Sequence, residues 1–246
     1  MLVCVEWDHI YVFENQQDKF KKRTLTEQTG LWTFCLPVDV DQDGDMDLIA
    51  GNLGLNSRLK ASKEEPLRFY HADFDDNGTP EQLLTYYVDG REIPFSNKRE
   101  LEKQVPAIKR SFLKAEEFAK ANVNELFKDV DLQKHKLYET QFLQNAILLN
   151  KGDLTFETIA MPKELQQTTY KTAVTIPDFD AVLLGGNYYD CNVQMGRYDA
   201  DYGTLIQFDS LGVPKVVTAH GLSIKGQIRK IKDCLLYTSP SPRDRG

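Results

Sequence analysis

Two acidic runs constrain this chain more than any other feature: Asp39-Val-Asp41-Gln-Asp43-Gly44-Asp45-Met-Asp47 and Asp73-Phe-Asp75-Asp76-Asn77-Gly78-Thr79-Pro-Glu81. Both place Asp, Asn or Glu at positions 1, 3, 5 and 9, and both have Gly at position 6. Alternate residues of a tightly turning loop can converge their side chains, and Gly permits the sharp turn. Calcium takes about six to eight hard oxygen ligands, so the register predicts two calcium sites. The first would use Asp39, Asp41, Asp43, Asp45 and Asp47, and the second Asp73, Asp75, Asn77, Thr79 and Glu81. Position 7 contributes its main-chain carbonyl, which leaves the Asp45 carboxylate free and gives Thr79 a backbone role.

An EF-hand needs a bidentate Glu at position 12 and flanking helices. Position 12 here is Ala50 or Leu84, and each loop runs on into a β-like segment, Leu48-Ile-Ala or Leu83-Leu-Thr-Tyr-Tyr. The acid at position 9 must therefore close each site. A third run, Asp178-Phe-Asp180-Ala-Val-Leu-Leu, starts in the same way but enters its strand too early, and is expected to be a shortened copy that has lost the metal. The plain alternative for the first two is a solvated acidic turn.

From Leu2 to Tyr87 short runs of Val, Ile, Phe and Tyr alternate with Asn, Asp and Gly clusters, a β pattern that begins with a strand from Leu2 to Trp7. His9-Ile-Tyr-Val-Phe, a polar turn after Asn15 and then Phe20 predict a hairpin, echoed by Ala146 to Asn150, Gly152 and Phe156. Leu48-Ile-Ala-Gly51-Asn52 is echoed by Leu183-Leu-Gly-Gly186-Asn187, so the chain reads as an irregular internal repeat. Between Asn97 and Lys136 the period changes. Leu101, Val105, Ile108, Phe112, Ala115, Ala119 and Val123 recur at helical spacing, Asn97 with Glu100 forms a capping box, and Pro106 breaks the first helix. The stripe predicts a helical insertion packed on the β layer, or else a partner-binding groove. The last stretch, 233–246, is rich in Ser, Pro and Arg without apolar period, and is expected to be a disordered, non-native read-through tail.

D-x-D-x-D-G-D-x-D followed by Leu-Ile-Ala-Gly-Asn resembles the FG-GAP (VCBS-type) repeats of integrin-like β-propellers. Gly51 to Asn56, Asp73 to Gly78, Arg99-Glu-Leu, Gly186 to Asp190 and Gly196 to Gly203 resemble bacterial FG-GAP proteins that often carry an ASPIC/UnbV domain. The resemblance implies a seven-bladed ring, structural calcium in the blade loops and export to the periplasm or cell surface. The chain departs from that pattern in having too few blades, a shortened third loop and no ASPIC/UnbV segment. The expected fold class is all-β: a partial β-propeller of about three to four blades of an incomplete ring, with an α-helical insertion. The divisions expected are blades with both calcium loops at 1–94, the insertion at 95–136, further blades at 137–232 and the tail at 233–246.

The formal charge of −7, from 37 acids against 30 bases, argues against nucleic acid as the main partner. Cysteines 4, 35, 191 and 234 have no zinc-like spacing and imply no disulfide framework. No apolar run approaches a membrane span, and the start lacks a leader pattern, which is expected to reflect truncation of an extracytoplasmic protein. No nucleophile elbow, zinc-protease helix or P-loop is present, and the histidines at 9, 71, 135 and 220 form no cluster. Tyr188, Tyr189, Arg197 and Tyr198 either line a carbohydrate- or peptide-contacting surface or pack the core. The leading expectation is thus a calcium-binding module for adhesion, binding or scaffolding, with a protein or carbohydrate ligand. The rival is a propeller-supported enzyme acting on polysaccharide, with Asp190 and Asp199 as candidate acids that a paired-carboxylate geometry would favour, or a carbohydrate-processing accessory domain.

Overall fold

The short apolar runs pair in antiparallel ladders throughout the computed structural model, which describes residues 1–128, 130–132, 135–218 and 222–232. Strands make up 39% of the chain against 13% helix, so the chain is all-β in class. The tail at 233–246, with Cys234, and His220 lie outside the described residues.

The expected strand from Leu2 to Trp7 is broken in two. Strand β1 (Leu2–Val3) and strand β2 (Glu6–Asp8) belong to different sheets. Within β2 the backbone is irregular: Trp7 takes a φ of 66°, and the pairing register shifts between Glu6 and Asp8. Strand β3 (Tyr11–Gln16) pairs with β1 and forms the predicted hairpin with β4 (Lys19–Thr24), while β5 (Gly30–Leu31) takes β2.

Next, β6 (Phe34–Val38) and β7 (Asp47–Gly51) form the hairpin whose turn is the first acidic loop. The chain then leaves this sheet on a long excursion. Strands β8 (Leu67–Ala72), β9 (Glu81–Val88) and β10 (Arg91–Pro94) make a meander whose first turn is the second acidic loop. Helices α1 (Lys98–Gln104), α2 (Ala107–Ser111), α3 (Ala115–Lys120) and α4 (Val123–Leu126) follow, and β11 (Lys136–Thr140) returns beside β8. Only then does β12 (Ala146–Asn150) pair with the free edge of β7, with β13 (Phe156–Ala160) outside it. The last sheet is a plain meander of β14 (Tyr170–Ile176), β15 (Ala181–Gly186), β16 (Thr204–Phe208) and β17 (Pro214–Thr218). Because β11 lies in the sheet of β8 to β10, that sheet runs across both ends of the 95–136 span.

Side-chain alternation explains the layering. Along β7 every residue is buried, because the two faces of its sheet are both covered. Ile49 and its cross-strand partner Ile147 face Val182, Leu184 and Ile206 of the last sheet. Leu48, Ala50 and Leu148 face the other way, toward Ile10, Leu25 and Trp32. Each such Leu or Ile, removed from water, contributes about 1.5–3 kcal/mol. The excursion sheet is likewise covered on both sides, by the helices over Tyr70, Ala72 and Leu83 and by Leu53, Leu59 and Leu143 against Leu67 and Tyr86.

The helical segment forms where the period predicted it, starting from a complete Asn97/Glu100 capping box and stopping before Pro106. The stripe fails at its middle. Ala115 and Ala119 are exposed, and Phe118 is buried instead, because the break between α2 and α3 resets the rotational phase.

Candidate metal sites

Both acidic loops occupy hairpin turns between the first and second strands of a sheet, β6 to β7 and β8 to β9. They close in the same way. At position 6, the Gly44 N–H donates to Asp39 Oδ2 (3.1 Å) and the Gly78 N–H to Asp73 Oδ2 (2.7 Å). At position 7, the Asp45 N–H donates to Asp43 Oδ1 and the Thr79 N–H to Asn77 Oδ1, each at 2.8 Å. The N–H of position 2 donates to the acid of position 9 at 2.9 Å in both, Val40 to Asp47 Oδ2 and Phe74 to Glu81 Oε2. Position 4 has positive φ in both (Gln42 60°, Asp76 55°), as does the Gly at position 6 (96° and 85°). Glycine is the residue that adopts that conformation without strain.

This closure gathers carboxylates. One oxygen each from Asp39, Asp41 and Asp43 lie within 4.8 Å of one another, as do oxygens of Asp73, Asp75 and Glu81. Asp39 Oδ1, Asp41 Oδ1 and Asp75 Oδ1 are buried and have no hydrogen-bond partner. A buried oxygen anion without a donor is costly, and a bound cation would remove that cost. Hard oxygen donors alone make up each cluster, which suits a calcium-type ion and not a thiophilic one. The residues present therefore fit the expected metal.

Asp45 and Asp47 give no side-chain oxygen to the first cluster, and at position 7 of each loop the expected ligand is the main-chain carbonyl. Asp45, Asn77 and Thr79 are exposed, and the Asn77 oxygen is engaged by the Thr79 N–H. Asp47 is 1% exposed, and its second oxygen accepts the Asn150 N–H from β12 at 2.8 Å. Burial, with the charges of Asp41 and Asp43 adding to it, holds its carboxyl above the usual range, against the two N–H groups. The longer Glu81 gives one oxygen to Phe74 and still reaches its cluster. Asn150 also caps the loop through its side chain, donating to the Met46 carbonyl at 3.2 Å. Sequence reasoning read it only as the end of a strand echo.

Asp178 and Asp180 are exposed at the turn between β14 and β15, the position equivalent to the two loops, and join no three-ligand cluster among the described residues. The aromatic group divides: Tyr198 is core, with its hydroxyl on Ser57 Oγ at 2.7 Å, whereas Arg197 is exposed and lies over the Tyr189 ring. Asp190 is exposed and paired with Arg229 at 2.9 Å, and Asp199 is exposed. Among the described residues no helix is long and apolar enough to cross a membrane. No family model, curated protein or solved structure matches this chain.

Proposed function

We propose that the chain is a calcium-binding part of an FG-GAP-type β-propeller, working outside the cytoplasm as a binding, adhesion or scaffold module for a protein or carbohydrate ligand. The observation that carries this reading is the matching closure of two loops at equivalent hairpins, each gathering three carboxylates of which at least one has a buried, unpartnered oxygen. The meander of β14 to β17 has the connectivity of a propeller blade, and the sheet of β6, β7, β12 and β13 has it once the excursion is set aside. In this reading calcium cross-links the two strands of each hairpin, and recognition falls to loops between blades. Weak-to-moderate calcium affinity suits an environment where the ion is about millimolar.

Thermal unfolding with calcium and with excess chelator tests it. Saturation of one site at about a hundred times Kd stabilises by about 2.7 kcal/mol, so calcium should raise the midpoint by about 5–10 °C for each site filled. Asp41→Ala and Asp75→Ala should each abolish part of that rise. An unchanged midpoint on chelation, with both variants like the parent, would sink the metal reading.

A further inference from the structure

A cavity of about 190 Å³ lies where the excursion sheet meets the rest of the molecule. Its walls are largely apolar, with Trp7 from β2, Leu53 after β7, Leu67 from β8 and Tyr188 after β15. Lys171, on β14, lines it too. Among the described residues its ammonium has no hydrogen-bond acceptor and no ion-pair partner; its contact is the face of Tyr188, 4.8 Å from the ring centroid. Glu6, which also lines the cavity, is exposed and forms no ion pair with it. Burial holds the Lys171 amine below its ordinary value, with Glu6 opposing that and Arg229 adding to it.

Two further observations point to an occupant. Trp7 has a φ of 66°, rare for a bulky side chain, and such strain gathers at ligand sites. Two hydroxyl protons of the cavity are also committed elsewhere: Thr33 donates to the Tyr170 carbonyl at 2.5 Å and Thr169 to the Leu53 carbonyl at 3.0 Å. Lys171 is the cation that the lining offers a guest. A guest must bring an anionic acceptor and otherwise be apolar. A phosphate dianion brings two charges to offset, whereas a single ammonium in largely apolar surroundings matches one carboxylate.

We propose that this cavity binds a small apolar monocarboxylate, ion-paired to Lys171, with its hydrocarbon part between Trp7, Leu53, Leu67 and Tyr188. The site is separate from the acidic loops, so it stands or falls apart from the calcium reading.

The test is calorimetric titration of the full chain, in constant calcium, with 4-methylpentanoate and with its neutral isostere 4-methylpentanamide. The acid should bind, and the amide should bind about tenfold more weakly or worse, as expected for loss of a charged hydrogen bond. Lys171→Met should weaken the acid by about the same factor while the ligand-free melting midpoint holds or rises. Equal binding of acid and amide, or no binding of either up to about 20 mM, overturns the proposal. So does undiminished binding of the acid by Lys171→Met. Should that variant fail to fold, the acid-against-amide comparison on the parent chain still decides.

Discussion

Asp47 shows how much one side chain can hold: it joins its own loop at Val40 to strand β12 at Asn150. Asn has the same shape but one acceptor oxygen, so Asp47→Asn leaves a buried N–H facing an amide NH₂. In chelated protein, urea unfolding should show a loss of about 1–3 kcal/mol. Asn52, fully buried, does comparable work without charge, accepting the Leu31 and Leu53 N–H groups and donating to the Phe142 carbonyl. Asn52→Ala orphans all three and should destabilise by about 3 kcal/mol or more, again read from urea curves. Asp201 supplies a pH signature. It is 4% exposed, and burial raises its carboxyl above the ordinary 3.8 despite the Thr204 hydroxyl and backbone N–H groups it accepts. Between 3.8 and the raised value the folded chain keeps a proton that the unfolded chain has released, so this residue's contribution to stability falls as pH rises through that window. Asp201→Asn should flatten that part of the melting-midpoint profile.

At the scale of elements, legibility followed locality. The acidic loops were readable because turn, ligand register and following strand occupy one short stretch from Asp39 to Gly51. Helix α1 was readable for the same reason, with its cap at Asn97 and its stop before Pro106. The phase of α3 was not, since a break of a few residues rotates the next helix by an amount that spacing alone does not encode. A direct comparison checks the corrected face. Phe118→Ala should destabilise by about 3 kcal/mol or more, while Ala119→Ser should stay within about 0.5 kcal/mol, by chemical denaturation of each. If Ala119 were the core position, the order would reverse.

Across the whole molecule, what the sequence hid is pairing at long range. Nothing within Asp47–Gly51 announces that its outer partner is Ala146–Asn150, because a strand buried on both faces carries the same apolar run whichever neighbour it has. The buried amides at Asn52, Asn145 and Gln166 that lock this junction were equally silent, as polar residues beside a turn. Lys171 and Trp7 escaped notice because only the assembled sheets bring them to one cavity. The excursion also sets an order of events in time. As the chain leaves the ribosome, the β6–β7 hairpin waits with one edge bare while the whole of 52–145 is made. During that interval the bare edge is a template for any strand, including one from another copy, so rapid closure of the excursion on itself protects the nascent protein from misassembly.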